Sequence, residues 1–192
     1  PKHVNPIKPH MFWRTLIRML SVPSLASTHF SFTGERMEEV KDKPCLILMN
    51  HTCFADMCIA YKILYPRRFN LVCSNDGFIG FWGLMAWLMR QIGCIPTQKF
   101  VPDLMLIRDM LYAVREKKNS VLMYPEASYS FDGTATVLPK KMGILLKKLG
   151  VPVVTVITHG AYTRQTLYNC LKKRKVQVSA AVTCLSVNLV SK

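Results

Sequence analysis

CLILMNHTCFAD, residues 45–56, joins a short apolar run to a histidine and an aspartate. The run Cys45–Met49 predicts a buried strand, and the apolar spacing that follows residue 56 predicts a helix. Thr52 is a suitable N-cap for that helix. We therefore expect His51 on the turn between strand and helix, and Asp56 in the first helical turn.

The spacing of His51 and Asp56 agrees with this placement. Two residues five positions apart on a regular helix point about 140° away from each other, so one of the pair must lie outside the helix for them to meet. A carboxylate that accepts one imidazole N–H leaves the other ring nitrogen free to take a proton from a hydroxyl group. Backbone N–H groups at the helix start can stabilise an oxyanion. The pair therefore predicts a general base and its orienting carboxylate.

The seven cysteines form no Cys-x-x-Cys pair, and their number is odd. Most lie in apolar segments, which is typical of reduced core residues in a cytosolic protein. Cys53 stands two positions after His51, but a residue that close on the same turn is poorly placed to be activated as a nucleophile. We therefore expect no catalytic cysteine.

The composition indicates an anionic partner. The chain has 192 residues, of which 50% are hydrophobic, and a formal net charge of +15. Nucleic acid, an anionic membrane surface and a phosphorylated substrate would each attract such a charge. The basic residues are scattered in pairs and in one cluster, Lys172–Lys175, without a recognisable nucleic-acid-binding motif, so we expect no nucleic acid partner.

Two apolar segments indicate contact with a membrane surface. Residues 78–89 carry no charge, but twelve residues are too few to span a bilayer. Residues 10–20 mix large apolar side chains with arginines, as in helices that lie in the membrane interface. A helix that packs on its own domain would explain residues 10–20 equally well. We expect an N-terminal docking region over 1–29 and a catalytic domain over 30–192, and the sequence leaves open whether that domain is truncated at its C-terminus.

Strand patterns separated by helical patterns predict the fold class. Strands are expected over 30–34, 45–49, 69–73, 120–124, 152–158 and 176–182, and helices over 80–91, 103–117 and 140–149. This alternation predicts a single layered α/β domain with a mixed, largely parallel central sheet flanked by helices and preceded by an amphipathic helix. In such sheets the functional groups gather at the carboxyl ends of the strands. Two further turns, 93–99 and 124–130, are expected there.

Several blocks of the sequence, in order, resemble the glycerolipid (lysophosphatidic acid and glycerol-3-phosphate) acyltransferase family. The family signature Asn-His-x4-Asp is matched by Asn50, His51 and Asp56. The other matching blocks are Gly93–Lys99, Pro125–Tyr129, Lys140–Gly143 and Val151–Val154. The resemblance covers roughly residues 30–160, and several blocks in the correct order are more specific than any one alone.

This resemblance implies transfer of a fatty acyl group from a thioester of coenzyme A or acyl carrier protein to a hydroxyl of a lysophospholipid or related acceptor. His51 would be the general base and Asp56 its orienter, without a cofactor or metal. The resemblance assigns acceptor binding to Asn50, Lys99, Glu126 and Ser128. It also implies a cytoplasmic protein bound peripherally to the inner face of an anionic membrane.

Departures from the family pattern bear on the acceptor. Ala127 replaces the glycine of the Pro-Glu-Gly block, and Tyr129 replaces an arginine that could hold a phosphate with two hydrogen bonds. Lys99, Lys140 or Lys141 could compensate as point charges. The sequence therefore leaves the acceptor open between a phosphate monoester, another lysolipid and an amino-acid-derived lipid.

Two other functions compete with acyl transfer. A non-catalytic module that binds lipids or membranes would explain the charge and the N-terminal helix, but it would not need the His51–Asp56 pair. A lipid esterase would use the pair, but it would also need a nucleophilic serine on a Gly-x-Ser-x-Gly elbow, which this sequence lacks.

Overall fold

The computed structural model describes residues 3–25, 28–35, 37–53, 55–79, 83–98, 103–130, 133–134, 137–139, 141–163 and 175–185. The strands in these stretches are β1 (Thr28–Glu35), β2 (Leu46–Met49), β3 (Phe69–Ser74), β4 (Cys94–Thr97), β5 (Ser120–Met123), β6 (Val153–His159) and β7 (Val176–Leu185). The α-helices are α1 (Met11–Leu25), α2 (Asp56–Ile63), α3 (Leu84–Gln91), α4 (Leu104–Arg115) and α5 (Met142–Leu149).

The strands form one mixed sheet in the order β1-β7-β6-β2-β5-β3-β4. The five strands from β6 to β4 run parallel to one another. β7 runs antiparallel to β6, and β1 pairs in parallel with β7. The predicted fold class, an α/β domain with a mixed, largely parallel sheet and an N-terminal helix, is confirmed.

The two faces of the sheet carry different helices, because side chains alternate along each strand. On β2, Ile47 and Met49 belong to a buried cluster that also contains α2 residues and has Trp13 of α1 and Met89 of α3 packed against it. Leu46 belongs to the second cluster, which includes residues of α4 and α5. Helices α1, α2 and α3 therefore cover one face, and α4 and α5 cover the other.

Two local predictions were wrong. Thr52 is not the N-cap of α2, because the helix begins at Asp56 with Ala55 as N-cap and no side-chain cap hydrogen bond. The segment 93–99, expected to be a turn, contains strand β4. Pro96 lies within this strand, and it is tolerated there because β4 is at the edge of the sheet and needs hydrogen bonds on one side only.

The parallel strands end together at one edge of the sheet, which we name the carboxyl edge. Residues that follow β2, β5 and β6 meet there, because β2 lies between the other two strands. This edge therefore brings the 50–56 segment next to the segment after β5, as the sequence predicts.

Candidate active site

His51 and Asp56 are in hydrogen-bond contact at the carboxyl edge. His51 Nδ1 lies 2.9 Å from Asp56 Oδ2. The Asp56 side chain has no solvent exposure, whereas the His51 side chain is 19% exposed. With Nδ1 donating to Asp56, Nε2 is the nitrogen that can accept a proton from a hydroxyl group.

Asp56 holds the turn as well as the imidazole. The backbone N–H groups of Thr52 and Cys53 donate to its Oδ2. The Thr52 hydroxyl and the Cys53 thiol donate to Oδ1 at 2.9 and 3.4 Å. Five donors including His51 thus compensate for the burial of this carboxylate. The aspartate shapes the turn that carries the histidine.

Part of the turn is closed to an oxyanion. The N–H groups of Thr52 and Cys53, the two residues after His51, donate to Asp56. Both residues precede α2, so stabilisation of an oxyanion at the helix start stays a prediction. The surroundings of Cys53 agree with the expectation that it is not a nucleophile. Burial, together with the nearby charge of Asp56, raises the pKa of the Cys53 thiol to about 12, so the thiol stays protonated at neutral pH.

The segment after β5 holds the main chain of His51 on both sides. The His51 N–H donates to Glu126 Oε2 at 3.4 Å. The Ser130 N–H donates to the His51 carbonyl oxygen at 2.7 Å. We name residues 124–130 the β5 clamp, since they fix the peptide that presents the imidazole.

Two tyrosines of the β5 clamp enclose the imidazole ring. The Tyr124 ring centroid lies 4.1 Å from that of His51, with the planes 15° apart. The Tyr129 ring centroid lies 4.0 Å away, with the planes 36° apart. Two rings this close cannot occupy the same face of one imidazole, so His51 lies between them. Burial raises the pKa of both phenols, and they remain neutral at physiological pH.

Ala127 keeps a glycine-like backbone at the turn of the β5 clamp. Its φ is 55°, in the left-handed region. Its N–H donates to the Tyr124 carbonyl oxygen at 3.2 Å and closes the turn. The turn therefore places an L-residue in a conformation that favours glycine.

Asn50 joins β2 to β6 beside the pair. Its Nδ2 donates to the Thr158 carbonyl oxygen at 2.9 Å. Its Oδ1 accepts from the N–H and the hydroxyl of Thr158, at 2.8 and 3.1 Å. These bonds hold Asn50, and with it the chain just before His51, against β6. A role for Asn50 in substrate binding stays a prediction.

Among the described residues, the other predicted acceptor-binding side chains make fewer hydrogen bonds than Asn50 does. Ser128 is exposed, and its hydroxyl donates to the Glu126 carbonyl oxygen at 3.3 Å. Glu126 is half-buried, and one of its oxygens accepts from His51. Lys99 and Lys140 lie outside the described residues. Within the described stretches, no three His, Cys, Asp or Glu side chains form a group that could hold a metal ion.

A cleft of about 630 Å³ lies at the opposite edge of the sheet. It is formed by the segments that precede β2, β3 and β5, and its charged lining includes Lys8, Lys41, Arg68 and Lys118. These segments are at the amino ends of the strands, away from His51. The cleft is therefore separate from the His51–Asp56 pair.

Sequence reasoning missed the parts that surround the pair. Tyr124 ends a predicted strand, and Tyr129 stands where the family pattern has an arginine, but neither position predicts a contact with His51. Both contacts join segments more than 70 positions apart in sequence, so no local spacing signals them. An aromatic residue on each side of the Pro-Glu block was the one available signal.

Taken together, the α/β sheet presents at its carboxyl edge a partly exposed histidine that is hydrogen-bonded to a buried aspartate. The family model named Acyltransferase matches residues 30–159, and the chain belongs to that family. No curated protein sequence matches the chain.

Among solved structures, the chain is similar to the 1-acyl-sn-glycerophosphate (LPA) acyltransferase PlsC from Thermotoga maritima. The TM-score is 0.69 and the sequence identity 16%, over 93% of this chain and 71% of that chain. At this identity the likeness shows the fold, which agrees with the family assignment.

Proposed function

We propose that the protein transfers a fatty acyl group from a thioester to the hydroxyl of a lysolipid. The observation that carries this proposal is the His51–Asp56 hydrogen bond of 2.9 Å, which leaves the partly exposed imidazole with one free nitrogen. The family assignment supports acyl transfer, and the structural likeness to PlsC suggests a lysophospholipid acceptor.

The reaction needs one base and no acyl-enzyme intermediate. His51 Nε2 takes the proton of the acceptor hydroxyl as that oxygen attacks the thioester carbonyl carbon. The tetrahedral intermediate then loses the thiolate by cleavage of its C–S bond. The thiolate recovers the proton from the imidazolium, which restores neutral His51. Asp56 holds the ring in one orientation and stabilises the imidazolium.

The contacts of possible nucleophiles favour acyl transfer over an esterase. The Ser128 hydroxyl donates to a backbone carbonyl oxygen, and the Cys53 thiol donates to Asp56. Neither hydrogen bond would activate the side chain as a nucleophile, because an activated nucleophile donates its hydrogen bond to the general base.

The β5 clamp bears on the acceptor headgroup. Tyr129 stands where the family pattern has an arginine, and its ring is committed to contact with His51. We therefore propose an acceptor that does not depend on an arginine at this position, such as a lysophospholipid with a phosphodiester headgroup. Tyr129→Arg is expected to raise activity with lysophosphatidate relative to lysophosphatidylglycerol, which a comparison of kcat/KM for the two acceptors would measure.

Association with a membrane surface is part of the same proposal. Helix α1 exposes Phe12, Met19, Leu20 and Val22. No helix among the described residues has the length and apolar character needed to cross a bilayer. We propose that α1 lies in the interface of an anionic membrane, where the lysolipid substrate is dissolved.

The first test is acyl transfer itself. Purified protein is incubated with labelled palmitoyl thioesters of coenzyme A or acyl carrier protein and a panel of lysolipids, and thiol release and lipid product are followed. We expect His51→Ala to lower acceptor-dependent transfer about 10³-fold. His29→Ala removes an exposed histidine of β1 and should leave the rate unchanged. Equal transfer by wild type and His51→Ala would overturn the catalytic role of His51.

A further inference from the structure

Large apolar side chains are exposed where α4 and α5 begin. Leu104, the first residue of α4, is 75% exposed, and Ile144 in the first turn of α5 is 60% exposed. Val137 and Leu138, just before α5, are 93% and 51% exposed. Single exposed apolar residues are common, but a group of them on neighbouring elements marks a contact surface. We name this group, together with the exposed Met105, the α4/α5 tip.

The α4/α5 tip lies on the same side of the molecule as His51. Helix α4 follows β4, and α5 connects the β5 clamp to β6, so both helices begin at the carboxyl edge and end near the amino edge. Their last turns are adjacent, because the Arg115 guanidinium donates to the Lys148 carbonyl oxygen at 3.1 Å. The two helices therefore run side by side in the same direction.

The exposed charged side chains of α4 and α5 are all positive. Arg108, Lys141, Lys147 and Lys148 are exposed. The one acidic residue of α4, Asp109, is 3% exposed, and α5 contains no acidic residue. Exposed apolar side chains among exposed cations are the composition of an interfacial helix on an anionic membrane.

Helix α1 reaches the same edge from the opposite face of the sheet. Near its start, the Arg14 guanidinium donates to the carbonyl oxygens of Pro66 and Arg67, which precede β3 at the amino edge. The strand that follows α1 is β1, whose first residue pairs with Val176 at the carboxyl edge. The exposed Met19 and Leu20, in the later part of α1, therefore approach the carboxyl edge.

We propose that the α4/α5 tip is a second membrane contact, which together with α1 sets the carboxyl edge of the sheet, and with it His51, against an anionic bilayer. Apolar side chains from both faces of the sheet then flank the site through which a lysolipid enters. The proposal rests on the proposed lipid substrate, but vesicle binding tests the surface without any assay of transfer.

An acidic carrier protein is the other partner that this charge would attract. The composition of the α4/α5 tip favours the bilayer, because its most exposed residues, Val137 and Leu104, are apolar. Insertion of such side chains into the acyl boundary contributes to membrane binding in proportion to the apolar area buried.

The experiment uses the variant Leu104→Gln/Ile144→Gln and vesicles made of equal parts phosphatidylcholine and phosphatidylglycerol. We expect its dissociation constant for these vesicles, measured by sedimentation, to rise about tenfold. Activity on a short-chain, monomeric lysolipid with a coenzyme A thioester should stay within about twofold of wild type. The control Leu185→Gln makes the same exchange at an exposed leucine at the amino edge and should bind like wild type.

Vesicle binding equal to that of wild type would overturn the proposal. A variant that keeps vesicle binding but loses transfer from carrier-protein thioesters alone would assign the α4/α5 tip to the carrier instead.

If the double variant does not fold, Arg108→Glu/Lys147→Glu tests the same surface by charge. It should weaken binding to the anionic vesicles and leave binding to pure phosphatidylcholine unchanged, and equal binding to the anionic vesicles would overturn the proposal. Absence of acyl transfer by wild type would refute the proposed function without affecting these binding results.

Discussion

Two buried aspartates of this protein each lie beside a histidine, at almost the same distance. Asp56 Oδ2 is 2.9 Å from His51 Nδ1, and Asp109 Oδ1 is 3.1 Å from His3 Nε2. Asp56 receives five donors and follows a parallel strand. Asp109 lies within α4, and among the described residues its Oδ1 receives no hydrogen bond of good geometry. The two pairs therefore share a short His–Asp distance but differ in the surrounding donors and in their position relative to a strand end.

The His3–Asp109 pair connects the N-terminal segment to α4. It holds the N-terminal segment before α1, which is also fixed by a hydrogen bond of 2.8 Å from Asn70 Nδ2 to the Ile7 carbonyl oxygen. Burial raises the pKa of the Asp109 carboxyl, and the His3 charge opposes this rise only in part. The carboxylate thus remains poorly compensated, as expected for an attachment point and not for a catalytic orienter.

Removal of one carboxylate at a time gives the strongest contrast between the pairs. Asp56→Asn is expected to lower kcat by about 10³-fold, because an amide cannot both orient His51 and stabilise the imidazolium. Asp109→Asn is expected to change kcat by less than about twofold, since it lies away from the carboxyl edge. Steady-state kinetics with the acceptor found in the lysolipid panel would measure both.

Circular dichroism of both variants is the needed control, because Asp56 also holds the turn through Thr52 and Cys53. A large loss of kcat in Asp109→Asn, with the fold intact, would contradict the distinction drawn between the two pairs.

The aromatic rings around His51 are a further difference between the pairs. Tyr129→Ala removes one of the two rings in contact with the imidazole and is expected to lower kcat up to about tenfold. Tyr129→Phe keeps the ring and should retain most of the activity. The pH dependence of kcat separates a positioning role from a general loss of stability, because only a change around His51 should move the pH at which activity is half-maximal. An unchanged profile and rate in Tyr129→Ala would show that the contact has no role in catalysis.

The fold was predictable because its signals are local. The apolar run of β2, the stripe of α4 and the glycine after α5 each carry their own pattern, and alternation of strands and helices then gives an α/β sheet. β4 was missed because it has four residues, includes Pro96, and derives its strand character from pairing with β3.

The candidate site was predictable at its centre and not around it. The spacing of His51 and Asp56 is contained in one turn, so their contact follows from sequence. The enclosure of His51 by Tyr124 and Tyr129 depends on β2 and β5 being neighbours in the sheet, which no residue pattern states. The hydrogen bonds from Thr52 and Cys53 were not predicted, because the carboxylate of Asp56 accepts from residues that precede it in the sequence, whereas an N-cap accepts from residues that follow it.

The stability of the protein should distinguish the two aspartates by pH. Asp109 has a raised pKa in the folded state, so its ionisation costs stability above that pKa and costs nothing below the pKa of the unfolded chain, about 3.9. Asp109→Asn should therefore raise the Tm at neutral pH, by about 2 °C, and this gain should vanish as the pH falls toward 4. Thermal unfolding followed between these pH values measures it. A gain that does not depend on pH would mean that packing, and not charge, causes it.

The smallest expected effect concerns the turn that holds the His51–Asp56 pair in place. Ala127 has a φ of 55°, a conformation that costs an L-residue about 1 kcal/mol or more and glycine almost nothing. Ala127→Gly relieves this strain but adds freedom to the unfolded chain, so the free energy of unfolding should rise by no more than about 0.5 kcal/mol. Ala113→Gly, the same exchange inside α4, should lower it by more than about 1 kcal/mol, because it also removes a buried methyl group. If urea unfolding shows the same loss for both variants, the left-handed backbone at Ala127 is not strained. If instead stability rises while kcat falls, the Ala127 methyl group itself helps to keep the β5 clamp closed on His51.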